Sequence, residues 1–162
     1  MSSDEVKGSF TASGRRRIRQ AVRAGAVAAV VSGIPSTAHA LLTGGDLLAA
    51  TRAAGTLIPG RRDRPGVAAG LVAHLTIAAG WTGVLAWAGC RGVTRGAVAG
   101  LAIAVLDLGV AARAYPAVRA LPRAPQLADH LVFGAVLGAL LNRPQGTDQG
   151  TTSTTSPGCR VL

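Results

Sequence analysis

Four long apolar runs, separated by short segments that contain proline, glycine and arginine, dominate the pattern of this chain. The runs cover about residues 24–42, 66–88, 96–112 and 127–141. A helix of about 20 predominantly apolar residues crosses the roughly 30 Å hydrocarbon core of a bilayer, and somewhat shorter helices do so as well. The pattern therefore predicts an all-α fold, a four-helix transmembrane bundle.

The segment between the first two runs predicts a short helix at the membrane interface. The sequence TGGDLLAATRAAGTLIPGRRDRPG has a Gly-Gly break, an amphipathic piece from Asp46 to Ile58 and a charged turn. Such an amphipathic piece lies along the interface, with its apolar side toward the acyl chains. Within the first run, Pro35 is expected to kink the helix, and Ser36 or Thr37 would satisfy the carbonyl that proline leaves unbonded.

The chain divides into three regions. Residues 1–20 are predicted to be a flexible, basic N-terminal tail, because their first part is polar and lacks helical periodicity. Residues 21–143 form the four-span membrane domain. Residues 144–162, which include the TTSTTS run, are predicted to be a disordered C-terminal tail.

The first apolar run has a second interpretation as an export signal. A signal peptide has a basic region, an apolar region and a cleavage site with small residues, in that order. The chain has the same order in RRRIRQAVR, AGAVAAVVSGIP and an Ala-His-Ala triplet. Arg15 and Arg16 also resemble the start of a twin-arginine signal. We favour a retained span, because apolar residues continue through Leu42 and three further spans follow. Cleavage would leave three spans and remove His39.

Composition and charge also point to a membrane. Of the 162 residues, 49% are hydrophobic and 15% are charged, whereas an ordinary soluble domain has about 25% charged residues. The net charge of +10 does not indicate nucleic-acid binding, because the arginines lie mainly at the ends of apolar runs without interleaved aromatic residues. It favours anionic headgroups, so the predicted partner is the lipid bilayer. The predicted location is the cell membrane, with multiple passes and both termini in the cytoplasm.

Each apolar run contains small residues spaced so that they share one helix face. This spacing lets transmembrane helices approach closely, so it predicts packing within the bundle, with partner helices or in a homo-oligomer. The predicted helix-packing glycines are Gly25, Gly33, Gly66, Gly70, Gly96, Gly100, Gly134 and Gly138.

Four ionisable residues lie within or at the edges of the apolar runs and form a candidate polar cluster: His39, His74, Asp107 and His130. Ionisable groups are costly inside a bilayer, so they are candidates for a functional site. Counted from the turn near Gly92 at about 1.5 Å per residue, His74 and Asp107 differ in depth by about 5 Å. All four residues are expected in the half of the membrane opposite that turn.

Two interpretations of this cluster remain open. In one, the histidines bind a metal or carry protons in a polar pocket, with Asp107 as ligand or counter-ion. In the other, His74 and Asp107 form interhelical hydrogen bonds, while His39 and His130 reach interfacial water. We favour the second, because no two histidines have the short spacing of a metal-binding helix.

Other chemistry is scarce in the sequence. It contains no phosphate loop, dinucleotide fingerprint, G-x-S-x-G or H-E-x-x-H motif. Cys90 and Cys159 have no CxxC partner and do not suggest a disulfide framework. We therefore predict neither an enzymatic activity nor a cofactor. A metal, or a haem held by two facing histidines, is the weaker alternative.

Four phrases of the sequence, together with its heavy use of Ala, Gly and Arg, carry a resemblance. The chain resembles small four-span membrane proteins of GC-rich bacteria, a group with no established activity. The phrases that carry the resemblance are GIPSTAHALLTGGDLLAATRAAGTLI, AAGLVAHLTIAAGWTGVLAW, LAIAVLDLGV and ADHLVFGAVLGALL. The resemblance covers about residues 21–141 and implies a four-span architecture with a retained first span. It implies no activity.

The role that the sequence favours is a noncatalytic membrane component, packed through small-residue helix faces. The first alternative is an ion, metal or proton permease, or a metal-binding membrane protein, that uses the His/Asp cluster. The second is a haem-binding redox subunit of the membrane.

Overall fold

The computed structural model describes residues 3–143, with side chains for residues 14–143. Every regular element among the described residues is helical, and none is a strand. The predicted disordered C-terminal tail, 144–162, lies outside the described residues. The α-helices are α1 (Ser3–Val31), α2 (Ile34–Thr43), α3 (Ala49–Ala54), α4 (Val67–Trp87), α5 (Val93–Leu106), α6 (Ala112–Ala114), α7 (Pro116–Arg119) and α8 (Arg123–Leu141).

Four of the described helical stretches are long and apolar enough to cross a membrane, which confirms the predicted all-α fold with four spans. The second and third spans agree with the apolar runs to within three residues at each end. The spans are Gly14–Thr43, Val67–Trp87, Val93–Ala114 and Arg123–Leu141.

The first span is a broken helix made of α1 and α2. Helix α1 ends at Val31, and α2 begins at Ile34 with Pro35 in its first turn, where a missing N–H costs no hydrogen bond. The break agrees with the kink expected at Pro35. Helix α1 begins at Ser3, whereas the sequence interpretation placed residues 1–20 in a tail. The difference has a local reason: the RRRIRQAVR segment contains good helix formers and continues without a proline into the apolar run.

The short helix predicted between the first two spans is present. It consists of α3 followed by one 3₁₀ turn, Gly55–Leu57, and it packs against the start of α4. Two glycines permit this approach: the backbone of Gly55 lies against the Gly66 carbonyl, and that of Gly70 lies against the Thr51 carbonyl. A side chain on either glycine would overlap backbone atoms of the other segment.

The fourth span starts at Arg123, four residues before the predicted start at Leu127. Pro122 and Pro125 made this segment resemble a connector. However, Pro125 lies in the first turn of α8, where backbone N–H groups have no partner within the helix and proline is tolerated. Asp129 consequently lies beyond the first turn of α8, and its contacts, described below, are tertiary.

The third and fourth spans pack most closely of all. The Cα atoms of Gly96 and Gly100 face Gly134 and Gly138, and a Cβ on any of the four would overlap backbone of the opposing span. The N–H of Gly92 also donates to the Gly138 carbonyl at 2.8 Å. These contacts place α5 and α8 backbone against backbone, as small residues allow in a membrane.

The two ends of the bundle are different. The end that carries the 88–92 turn, here called the turn side, also holds the first residues of the first span and the last residues of α8, since the Gln20 amide donates to the Leu140 carbonyl at 3.2 Å. The opposite end carries α3 and is called the α3 side. A compact apolar core fills the middle of the bundle and includes Ala28, Leu85, Phe133 and Leu137.

Candidate functional site

Asp107 lies where the third span changes its helical geometry. Helix α5 ends at Leu106, and Asp107–Ala111 form a π-helical segment before α6. Such segments are rare, cost hydrogen-bond geometry and occur frequently at functional sites. The Asp107 side chain is 36% exposed, so it is neither fully buried nor on the outer surface.

His130 of α8 is held at both ring nitrogens. Its Nδ1 lies 2.7 Å from the Gln126 carbonyl oxygen, one turn earlier in the same helix. Its Nε2 lies 2.9 Å from Oδ2 of Asp107. A carbonyl can only accept, so Nδ1 must carry hydrogen, and Nε2 is the nitrogen available to Asp107.

The neutral pair can hold its shared proton in two ways. Either an imidazolium donates from Nε2 to an ionised Asp107, or a protonated Asp107 donates to a neutral His130. Both forms contain one proton in the shared bond and have zero net charge. Loss of that proton gives the pair a negative charge and removes the hydrogen bond between Asp107 and His130, whereas gain of a second proton gives the pair a positive charge.

A second carboxylate, Asp129, holds the break in the first span. The Ser36 N–H donates to Oδ1 of Asp129 at 3.0 Å, and the Ser36 hydroxyl donates to Oδ2. Ser36 is the third residue of α2, so its N–H is one of the donors that a helix start leaves without an internal partner. Asp129 supplies that partner from another helix. The Thr37 hydroxyl instead donates to the Gly33 carbonyl at 2.7 Å.

His74 satisfies the other side of the same break. Its Nε2 donates to the Ala29 carbonyl at 3.1 Å, and the Ser32 hydroxyl donates to the same oxygen at 3.1 Å. Because α1 ends at Val31, the Ala29 carbonyl is among those that the helix end leaves unbonded. The broken helix thus offers one carbonyl and one N–H that ionisable side chains of α4 and α8 bind.

These side chains share one cavity of about 450 Å³ in the α3-side half of the bundle. Apolar side chains, among them Leu71, Trp81 and Phe133, form the rest of its wall. No lysine or arginine is among the described residues that line it. Its polar lining consists of Ser32, Ser36, Thr37, Thr51, His74, Asp107, Gln126, Asp129 and His130.

Of the candidate polar cluster, the structure brings Asp107 and His130 into contact and places His74 on the wall of the same cavity. His39 lies further along α2, is half-buried, and is not among the residues that line the cavity. Sequence reasoning missed Asp129 and Ser36 as a pair. A usable indication was present, because a helix that restarts at a proline leaves the N–H of the following residue, here Ser36, in need of an acceptor.

Most of the predicted packing glycines make close contacts inside the chain. Gly25 of α1 lies against Thr82 of α4, and Gly100 lies against the His130 carbonyl. The latter contact positions the α8 backbone beside α5 at the level of the Asp107–His130 bond. Gly66 and Gly70 pack against α3 and its 3₁₀ turn rather than against another span. Gly33 makes no such contact, because it lies in the break between α1 and α2.

The metal- and haem-binding alternatives depend on which ligand atoms are available. Among the side chains of residues 14–143, no three His, Cys, Asp or Glu form a group that could hold a metal ion. The Nε2 atoms of His74 and His130 already make hydrogen bonds, and Nδ1 of His130 does so as well. Haem ligation by these two histidines would require both to leave their present partners.

The four spans and their buried polar contacts indicate the class of this molecule: a multi-pass helical membrane protein. No family model matches the chain, and neither a curated protein nor a solved structure shows significant similarity to it. The function must therefore be inferred from the cavity itself.

Proposed function

We propose that this protein is a small cation permease of the proton-handling kind, with the Asp107–His130 pair as its protonation site. The observation that carries the proposal is the 2.9 Å bond between these two residues at the wall of a cavity formed around a broken span. Discontinuous transmembrane helices typically mark binding sites, because their ends offer backbone groups at membrane depth. Here those ends are bound by the titratable residues that line the cavity.

The charge of the cavity favours a cation as its occupant. Asp107 and His130 form a pair with zero net charge, whereas Asp129 receives only the two neutral hydrogen bonds of Ser36. An unbalanced carboxylate in a membrane is costly, and it is relieved by a proton or by a bound cation. Because the described lining contains no lysine or arginine, we assign a proton or a cation in the cavity as the partner of this carboxylate.

The shape of the cavity supports access from one side. Its polar residues lie toward the α3 side, and four of its lining residues, Ala29, Ala78, Ile103 and Phe133, also belong to the apolar core. The core separates the cavity from the turn side of the bundle. A permease with one closed side requires a second conformation, and the break between α1 and α2 is the hinge that we assign to that change.

Purified protein in liposomes tests this proposal. A potassium gradient with valinomycin drives protons inward, and a trapped pH-sensitive dye reports the flux. We expect wild-type protein to carry protons and Asp107→Asn to reduce the flux at least tenfold, because an amide cannot take up the proton. The matched control is Asp63→Asn, which removes a carboxylate from the loop between the spans and should leave flux unchanged.

Two results would overturn the permease proposal. One is an absence of proton flux in correctly inserted wild-type protein, and the other is an equal flux in wild type and Asp107→Asn. Circular dichroism and gel filtration of each variant separate loss of flux from loss of folding.

The other roles inferred from the sequence have less support. A noncatalytic component that packs on partners through glycine faces would need those faces to be free, but Gly96, Gly100, Gly134 and Gly138 pack within the chain. A haem-binding subunit would need two histidines with available nitrogens. We propose no enzymatic activity, and we retain the cell membrane as the proposed location.

A further inference from the structure

A second cavity lies on the other half of the bundle, between α1 and α4. It is an apolar groove of about 530 Å³. It shares three lining residues with the polar cavity, Ala29, Leu75 and Ala78, and the two cavities adjoin there. Small side chains form most of its floor, and Ile18 and Val22 form part of its rim. The groove therefore follows the two antiparallel helices from the turn side toward the middle of the membrane.

The length of the groove matches one leaflet. Along α1 it is lined from Arg17 to Ala29, and along α4 from Leu75 to Ala86. At about 1.5 Å per residue these stretches are about 18 Å and about 16 Å long. Half of the roughly 30 Å hydrocarbon core is about 15 Å, which is the depth that one acyl chain occupies.

The mouth of the groove is strongly basic. Arg17 lines it, and the neighbouring Arg15, Arg16 and Arg19 are exposed on the same helix end. No acidic side chain is described on the turn side between residues 14 and 143. A positive charge at the level of the headgroups, above an apolar groove, is complementary to an anionic lipid.

The wall of the groove also contains a polar group that needs a partner. Thr82 is only 6% exposed, lines the groove, and its hydroxyl has no hydrogen-bond partner among the described residues. Thr82 lies about 7 Å along the helix from the end of α4 at Trp87, counted at 1.5 Å per residue. The hydroxyl lies against the backbone of Gly25, and a change of side-chain rotamer is the step that would turn it toward a lipid in the groove.

We propose that the α1–α4 groove binds one anionic phospholipid, with an acyl chain between the helices and the phosphate at Arg17. The Thr82 hydroxyl donates to an ester carbonyl of the same lipid. A second copy of this chain does not explain the features as well, because it would bring another arginine cluster to the same basic mouth. This proposal does not depend on the permease function.

Lipid titration followed by native mass spectrometry tests the site. Protein in detergent is mixed with equal amounts of phosphatidylglycerol and phosphatidylcholine, and the bound lipids are counted. We expect wild-type protein to retain one phosphatidylglycerol in preference to phosphatidylcholine. Gly83→Leu fills the groove and should reduce this binding about tenfold, since it displaces several methylene groups of the chain.

Two matched controls belong to this experiment. Gly80→Leu makes the same change on the same helix, where a side chain also meets open space, but Gly80 does not line the groove. Arg17→Gln should lower phosphatidylglycerol binding about fivefold and leave phosphatidylcholine binding unchanged. Arg19→Gln removes an equal charge from the other face of α1, because residues two apart do not share a helix face, and should have a smaller effect.

Three outcomes would overturn the lipid site. The first is equal retention of the two lipids by wild-type protein. The second is equal loss of binding in Gly83→Leu and Gly80→Leu, which would indicate adsorption on the whole surface. The third is a dimer that Gly83→Leu dissociates, which would show that a second copy occupies the groove.

Discussion

Asp107 of the third span and His130 of the fourth share a hydrogen bond of 2.9 Å between Oδ2 and Nε2. The bond lies beside a glycine contact, since the backbone of Gly100 packs against the His130 carbonyl. Close packing of α5 and α8 therefore determines where the two side chains can meet. The stability of this helix pair and the chemistry of the cavity are coupled through the same residues.

Gly134→Ala should destabilise the bundle. The added Cβ would overlap the Gly96 carbonyl and the backbone of Gly100, so α5 and α8 would have to separate. Overpacking of this kind costs about 1–3 kcal/mol. Thermal unfolding in detergent measures the loss. Gly80→Ala, where a Cβ meets open space, is the control and should unfold no earlier than wild type. Equal melting temperatures for the two variants would contradict the packing account.

The Asp107–His130 bond should appear as an energetic coupling in a double-mutant cycle. We expect about 1 kcal/mol between Asp107→Ala and His130→Ala, since interhelical hydrogen bonds in membranes contribute amounts of that order. Denaturation in mixed detergent supplies the four free energies of unfolding. Asp107→Ala combined with His74→Ala is the control cycle, because His74 bonds to Ala29 instead. A larger coupling to His74 than to His130 would refute the assigned pairing.

Hydropathy alone predicted the number of spans, because a membrane requires about 20 apolar residues per helix whatever their tertiary contacts. It did less well at boundaries. The prolines near Arg123 resembled a connector, although proline is compatible with a first helical turn. The segment before residue 24 is too polar and basic to count as part of an apolar run, and its continuation of α1 follows from helix propensity rather than from hydropathy.

The candidate site was predicted only in part, for a geometric reason. Counting residues from a turn predicts the depth of a side chain, and the structure has both His74 and Asp107 in the lining of one cavity. Depth does not give the rotation of each helix about its axis, so it could not identify which side chains meet. In the structure Asp107 bonds to His130, and His74 bonds to the Ala29 carbonyl. Asp129 was missed because its acceptor role depends on the break in another span.

The Asp129–Ser36 contact should be cooperative. Asp129→Ala removes both acceptors and leaves the Ser36 N–H unbonded, so we expect a loss of about 1–3 kcal/mol. Ser36→Ala keeps the N–H bond and should cost about 0.5–1.5 kcal/mol. In the Asp129→Ala background, Ser36→Ala should have little further effect. Thr43→Ala, at the far end of α2, is the additive control. Additivity of the Ser36 and Asp129 variants would show that the two residues do not interact in the membrane.

The arginines predict which side of the membrane each end faces. The described arginines are nearly balanced in number, with eight on the turn side and seven on the α3 side, but five of the turn-side arginines lie at the start of the first span. Because the first span usually dominates the orientation, the turn side is proposed to be cytoplasmic. The turn-side arginines in this comparison are Arg15, Arg16, Arg17, Arg19, Arg23, Arg91, Arg95 and Arg143.

Single cysteines at Arg91 and Arg61, in a background with Cys90 and Cys159 replaced by serine, test this orientation. A membrane-impermeant maleimide should label Arg61→Cys in intact cells and Arg91→Cys only after permeabilisation. The reverse result would invert the bundle and place the mouth of the polar cavity toward the cytoplasm. Equal labelling at both positions in intact cells would mean that the basic residues do not impose a single orientation.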